Sequence, residues 1–230
     1  MLDKMHGAAP ADPQRLVLFD LDNTLIDRAQ GFRVWARVIS AYSLPDAGEV
    51  EWLERADNDG LTQRPTLFAG IRSRYGLREP VDALVQAYRE QFPRCIPPLP
   101  DETRTVLREL RQRGWKLGIV TNGGAQPQES KIRSAGLDKL VDGWVISEVL
   151  GARKPDAAIF RAASTACERS LAGGWMVGDN PEADIAGAAA AGLSSVWITR
   201  GREWTEPTFQ PDAAALSVAG AASEIITQVS

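Results

Sequence analysis

Asp20 and Asp22 stand two residues apart, directly after the apolar run Leu16-Val17-Leu18-Phe19. Side chains at i and i+2 of an extended strand point the same way, so both carboxylates are expected to face one site. Two anions held together raise a pKa unless a cation compensates. Alone, the pair reads as well as an Asp-rich turn capping a strand as it does as a catalytic site, and it is likewise only weak evidence for a Mn²⁺-dependent glycosyltransferase. Three further segments supply partners. Thr121-Asn122-Gly123-Gly124 follows a second apolar run with a hydroxyl and a backbone able to offer N–H donors to an anion. Lys154-Pro155-Asp156 puts a lysine just before a helical pattern, and Gly178-Asp179-Asn180-Pro181-Glu182-Ala183-Asp184 sets one carboxylate at a strand end and another a turn later.

Composition removes competing chemistries. The only histidine is His6, in a stretch expected to be a disordered tail over residues 1–14, so Ser-His-Asp hydrolysis and histidine-based zinc catalysis lack their key residue. Cys95 and Cys167 cannot build a disulfide framework or a thiolate zinc site, and neither is followed six residues on by the arginine of a cysteine phosphatase. Walker A and GxGxxG patterns are absent. With 26 Lys and Arg against 30 Asp and Glu, the net charge of −4 gives no reason to expect nucleic acid or an anionic membrane as partner. No apolar run approaches the ~20 residues of a membrane span, and the first residues lack a signal-peptide core, so a cytoplasmic protein is expected. Oligomeric state is not legible. The chemistry left to this chain runs on carboxylates.

The elements that must position these groups form an α/β pattern. Leu16–Phe19, Leu117–Val120, Trp175–Val177 and Ser195–Ile198 are continuously apolar, as strands covered on both faces are, and 143–147 is a weaker strand. Helical patterns at 103–113, 156–171 and 181–191 alternate with them; Asn180 and Pro181 read as the N-cap and first residue of the last. The expected core is a doubly wound, parallel-sheet, Rossmann-like α/β fold over 15–26 and 99–230, with ligands at the C-terminal strand ends. Residues 27–98 break the alternation. Phe32, Trp35, Ile39 and Tyr42 share one helical face; Phe68, Ile71 and Tyr75 a second; Val81, Leu84, Val85, Tyr88 and Phe92 a third, with a short helix around Val50 and Leu53. This predicts an inserted α-helical domain with its own small core, left through the proline-rich segment 93–100.

Together and in this order, the four segments resemble the four motifs of the haloacid dehalogenase-like superfamily. Asp20-Leu21-Asp22-Asn23-Thr24 matches the phosphatase form DxDxT, Thr121 the second motif, Lys154 the third, and Asp179 with Asp184 the fourth. The resemblance implies that Asp20 is a nucleophile forming an aspartyl-phosphate, and that Asp22 is the general acid and base. It implies that Thr121, Asn122, Gly123 and Lys154 hold the phosphoryl oxygens, and that Asp20, the Asp22 carbonyl and Asp179 bind Mg²⁺. Thr24 and Asp184 would support the site. Asp22 favours phosphoryl transfer over dehalogenation. The stretch from Thr24 to Thr121 is almost three times as long as that from Thr121 to Lys154, which places the insert as the family's C1 cap. The substrate expected is a small phosphorylated metabolite: a nucleoside monophosphate, phosphoglycolate or a sugar phosphate. A phosphomutase on the same core is an alternative the motifs leave open, and a signalling receiver domain is a more distant one. Arg28, Trp35, Arg64 and the turn Asp57-Asn58-Asp59-Gly60 are candidate cap contacts, each with packing or solvation as its plainer explanation.

Overall fold

A computed structural model describes residues 15–43 and 47–229. The expected tail over 1–14, with His6, lies outside the described residues, as does the side chain of Tyr42. Six parallel strands form one sheet in the order β3-β2-β1-β4-β5-β6. They are β1 Leu16–Phe19, β2 Lys116–Thr121, β3 Gly143–Ile146, β4 Trp175–Gly178, β5 Ser194–Ile198 and β6 Ala213–Ala215. The expected doubly wound α/β sheet is present, with one more edge strand than the apolar runs indicated.

The continuous apolar runs now have a cause. Along β1, Val17 and Phe19 point into one core and Leu16 and Leu18 into the other. The first core is closed by Val106, Leu107 and Leu110 of α5 (Asp101–Gln112), Ile132 of α6 (Ala125–Ser134) and Ile225 of α10 (Val218–Val229). The second is closed by Ile159, Phe160 and Ala163 of α8 (Ala157–Ala166) and Ala188 of α9 (Gly187–Ala191). Burial of each large apolar side chain contributes about 1.5–3 kcal/mol. A polar substitution anywhere in β1 therefore meets a dry face.

A short helix, α7 (Ser147–Leu150), follows β3. Two helices differ from the sequence pattern. The segment expected to run over 156–171 stops at Cys167, where Glu168 takes a left-handed φ of 55° and turns the chain toward β4. The segment after Asn180 opens as a wide π turn over Pro181–Ala186 before becoming α9. Asn180 caps it as expected, its Oδ1 accepting from the Ala183 N–H at 2.9 Å.

Between β1 and β2 the chain forms α1 (Arg28–Ser43), α2 (Ala47–Asp57), α3 (Arg64–Tyr75) and α4 (Val81–Gln91). Their shared core includes Phe32, Trp35, Leu53, Phe68, Ile71, Val85, Tyr88 and Phe92. Trp35 meets Tyr88 edge-on at 4.8 Å between centroids. It is 1% exposed, so packing accounts for it. No described helix is long and apolar enough to cross a membrane.

Candidate active site

From β1 the sheet grows outward through β2 and β3 on one side and through β4, β5 and β6 on the other. That reversal lies between β1 and β4, and open α/β sheets bind ligands just beyond the strand ends at such a point. Asp20 and Asp179 are the first residues past these two strands, and the Asp20 N–H donates to Val177 O at 2.9 Å. The topology alone thus brings together two carboxylates separated by most of the chain.

Asp184 completes the group. Carboxylate oxygens of Asp20, Asp179 and Asp184 lie within 4.8 Å of one another, and all three residues are buried. The π turn carries Asp184 back over the end of β4, where its Oδ2 accepts from the Asn180 N–H at 2.9 Å. Only glycine tolerates this approach: a Cβ on Gly178 would lie 2.3 Å from the Asp184 Cγ. Lys154, 3% exposed, donates from Nζ to Asp20 Oδ1 at 2.5 Å and to Asp184 Oδ1 at 2.7 Å.

One buried ammonium among three buried carboxylates leaves negative charge in excess. Burial, with Asp184 and Asp179 adding to it, pushes the Asp20 carboxyl well above the usual range despite Lys154. Burial and then Asp184 push Asp179 up to about 6, although Arg200 and Arg202 pull it back. Burial would lower Lys154, but Asp184 and Asp20 outweigh it and hold the ammonium protonated. Buried, crowded, oxygen-only donors of this kind suit a hard divalent cation, and the residues present fit one.

The remaining expected residues take distinct places. Thr121 is 1% exposed at the end of β2, and its Oγ1 accepts from Gln128 Nε2 at 2.5 Å, which leaves its own proton free to donate. Asn122 clamps the backbone of Lys154: its Nδ2 donates to the Lys154 carbonyl at 3.0 Å and its Oδ1 accepts the Lys154 N–H at 2.9 Å. The Gly123 N–H donates to Ser147 Oγ at 3.0 Å. The Thr24 hydroxyl is buried without a partner among the described residues.

Asp22 departs from the simple strand expectation. It lies beyond the end of β1, just before Asn23 with its left-handed φ of 64°. While Asp20 holds Lys154, Asp22 holds a different cation: Lys131 Nζ donates to its Oδ1 at 2.8 Å and its Oδ2 at 2.7 Å, and Gln128 Nε2 donates to Oδ2 at 3.0 Å. Burial acts to raise the Asp22 pKa, but Lys131 and Arg28 outweigh it and the carboxyl stays below its ordinary value.

Sequence reasoning missed Gln128, Lys131, Arg200 and Arg202. The first two are spaced i, i+3 on α6, the helix leaving β2, so they meet on one of its faces. Arg200 and Arg202 follow β5, another strand end at the same edge of the sheet. Arg200 donates to Asp179 Oδ2 at 3.0 Å and to Asp59 Oδ2 of the helical insert at 2.5 Å, and Arg202 donates to the Asp179 carbonyl at 2.6 Å. Asn23 also donates to Asp59 Oδ1 at 3.0 Å, so the Asp57–Gly60 turn rests on the core. Within the insert, Asp57 is 1% exposed and binds both Arg28 and Arg64.

The family model of haloacid dehalogenase-like hydrolases matches residues 14–192. The chain belongs to that family. A glyceraldehyde 3-phosphate phosphatase of Methanopyrus kandleri is 33% identical over 199 residues, covering 82% of this chain and 85% of its own. A phosphoserine phosphatase of Thermus thermophilus is 39% identical over 115 residues, which are 50% of this chain and only 46% of that protein. The HAD-hydrolase YfnB of Bacillus subtilis, solved bound to magnesium, shares the fold with a TM-score of 0.75 at 24% identity, over 94% of this chain and 98% of that one.

Proposed function

We propose that this haloacid dehalogenase-like hydrolase is a Mg²⁺-dependent phosphatase of small phosphorylated metabolites, working through an aspartyl-phosphate on Asp20. The observation that carries the reading is the buried cluster of Asp20, Asp179 and Asp184 around Lys154 at the β1–β4 switch point. Relatives named as phosphatases of three-carbon phosphates support it.

In this reading Asp20 attacks phosphorus in line. The bond from phosphorus to the ester oxygen breaks as the bond to the Asp20 carboxylate forms. Asp22, held at rest as a carboxylate by Lys131 and Gln128, takes the proton of the entering phosphomonoester monoanion, passes it to the departing oxygen and returns to the carboxylate. As a carboxylate it then takes a proton from the water that attacks phosphorus, and Asp20 and inorganic phosphate are released. Lys154 and the free Thr121 hydroxyl proton face the phosphoryl oxygens as charge develops. Asn122 keeps Lys154 in register through its backbone, and Gly123 contributes its N–H by exchanging Ser147 for the phosphoryl group. Asp20, the Asp22 carbonyl and Asp179 would hold Mg²⁺, with Asp184 behind them, and its charge would let a phosphate dianion enter a carboxylate-lined site. Residues 27–98 act as a cap, seated on the core through Asp59. Steady release of inorganic phosphate from p-nitrophenyl phosphate with Mg²⁺, lost in Asp20→Asn, tests the reading. A variant that turns over like the parent protein would remove the nucleophile.

A further inference from the structure

A cavity of about 170 Å³ opens beside the strand ends, reached past Asp22, Asn122 and Gly123 and walled on the far side by the helical insert. Its charged lining is one-sided: Arg28, Arg64, Arg89 and Lys131 against Asp22. Lys131 is matched, since its ammonium is taken by both oxygens of Asp22 and by Gln128 Oε1. Arg28 and Arg64 share the single carboxylate of Asp57, at 2.7 Å each, so that trio keeps one positive charge. Arg89 is exposed and has no ion pair among the described residues. Two positive charges therefore remain on the wall that the helical insert gives the cavity.

The two arginines nearest the insert differ in readiness. Arg28 is 4% exposed, is held by Asp57 through both terminal nitrogens, and packs on the Phe32 and Phe92 rings. A Cβ on Gly60 would touch its guanidinium at 2.9 Å, so the turn is shaped around it. Arg64 uses one nitrogen on Asp57 and another on the Gly60 carbonyl, and stacks on Tyr88. It has five N–H donors in a fixed fork, so some remain to point into the cavity. Asp57 and Arg28 thus act as the buried platform that orients Arg64, and a second guanidinium held beside the first is stabilised by an incoming anion.

Resting on the phosphatase reading, we propose that the leaving group carries a second anion, a carboxylate or a phosphoryl group a few carbons from the ester, and that Arg64 and Arg89 receive it. The cavity lies below the roughly 300–1,000 Å³ of sites for drug-sized ligands, which favours a compact acid over a nucleoside.

Calorimetric titration of the Asp20→Asn protein with Mg²⁺ tests this through three esters of one carbon skeleton: glycerol 3-phosphate, 3-phosphoglycerate and glycerol 1,3-bisphosphate. At least one of the last two should bind about tenfold or more tightly than the first, as a charge-assisted pair requires. Arg64→Gln should shrink that gap to about threefold or less, and Arg89→Gln on the exposed surface should reduce it independently if Arg64→Gln fails to fold. A gain by 3-phosphoglycerate alone assigns a carboxylate; a gain by the bisphosphate alone assigns a phosphoryl group. Equal affinities, no binding of any ester, or a gap that survives both substitutions would overturn the proposal. Phosphate release from the same esters by the parent protein is read separately: preference without turnover sinks the phosphatase reading alone, and turnover without preference sinks this one alone.

Discussion

Lys131 grips both oxygens of Asp22, at 2.8 and 2.7 Å, across a sequence separation of 109 residues. The pair joins the loop after β1 to the helix after β2, and it favours the carboxylate form of the one group assigned to proton transfer. Lys131→Met would leave Asp22 buried without its cation. Turnover should fall on the order of 10²-fold, the scale of lost acid–base catalysis, with the circular dichroism spectrum unchanged. Activity within a factor of about two of the parent would show that Asp22 needs no such partner.

Gly178→Ala tests the close packing behind the site. The added methyl would sit 2.3 Å from the Asp184 Cγ, so the π turn must shift. A loss of about 1–3 kcal/mol is expected from overpacking, read as a lower urea midpoint at unchanged m. An unaltered midpoint would mean the turn yields freely.

Much of the fold and part of the site are legible in the amino-acid sequence itself. The apolar runs ending in Asp20, Thr121 and Asp179 mark three strands, because a strand buried on both faces leaves no alternation to misread. The helical faces of Phe32, Trp35 and Tyr88 likewise mark one core. Partners supplied by tertiary approach are not legible. Lys131 looks like any helical lysine until the sheet order places β2 beside β1, and Arg200 lies after a strand that carries no motif. The early end of α8 at Cys167 escapes the pattern because no glycine or proline stands between Cys167 and Gly173 and Leu171 prolongs the apolar spacing, so only the left-handed Glu168 marks the turn.

The insert carries its own pH sensor of stability. Arg74 and Tyr75 both bind Glu49, at 2.8 and 2.5 Å, and hold its carboxyl down at about 2 against an ordinary 4.5. A depressed carboxyl stabilises the fold fully above the unfolded value and loses that contribution as pH falls through the folded one. The melting temperature of Glu49→Gln should therefore lie below the parent's at pH 7, with the gap closing between about pH 4.5 and 2. A gap that persists at the acid end would place the effect in packing instead.

Mg²⁺ should stabilise the folded chain by binding it alone. At a hundredfold excess over Kd the gain is about 2.7 kcal/mol, a rise in melting temperature on the order of 5–10 °C for a chain of this size. Asp179→Ala should lose most of that shift. An equal shift in both proteins would remove Asp179 from the ligand set.

The nucleophile is tested most directly by catching it. Parent protein mixed with a turned-over phosphomonoester and Mg²⁺, then quenched in acid, should yield a peptide spanning Asp20 that is heavier by one phosphoryl group. The same peptide from Asp20→Asn should be unmodified. A phosphoryl group found on another residue, or none trapped while turnover proceeds and water alone attacks the ester, would contradict the assignment of Asp20.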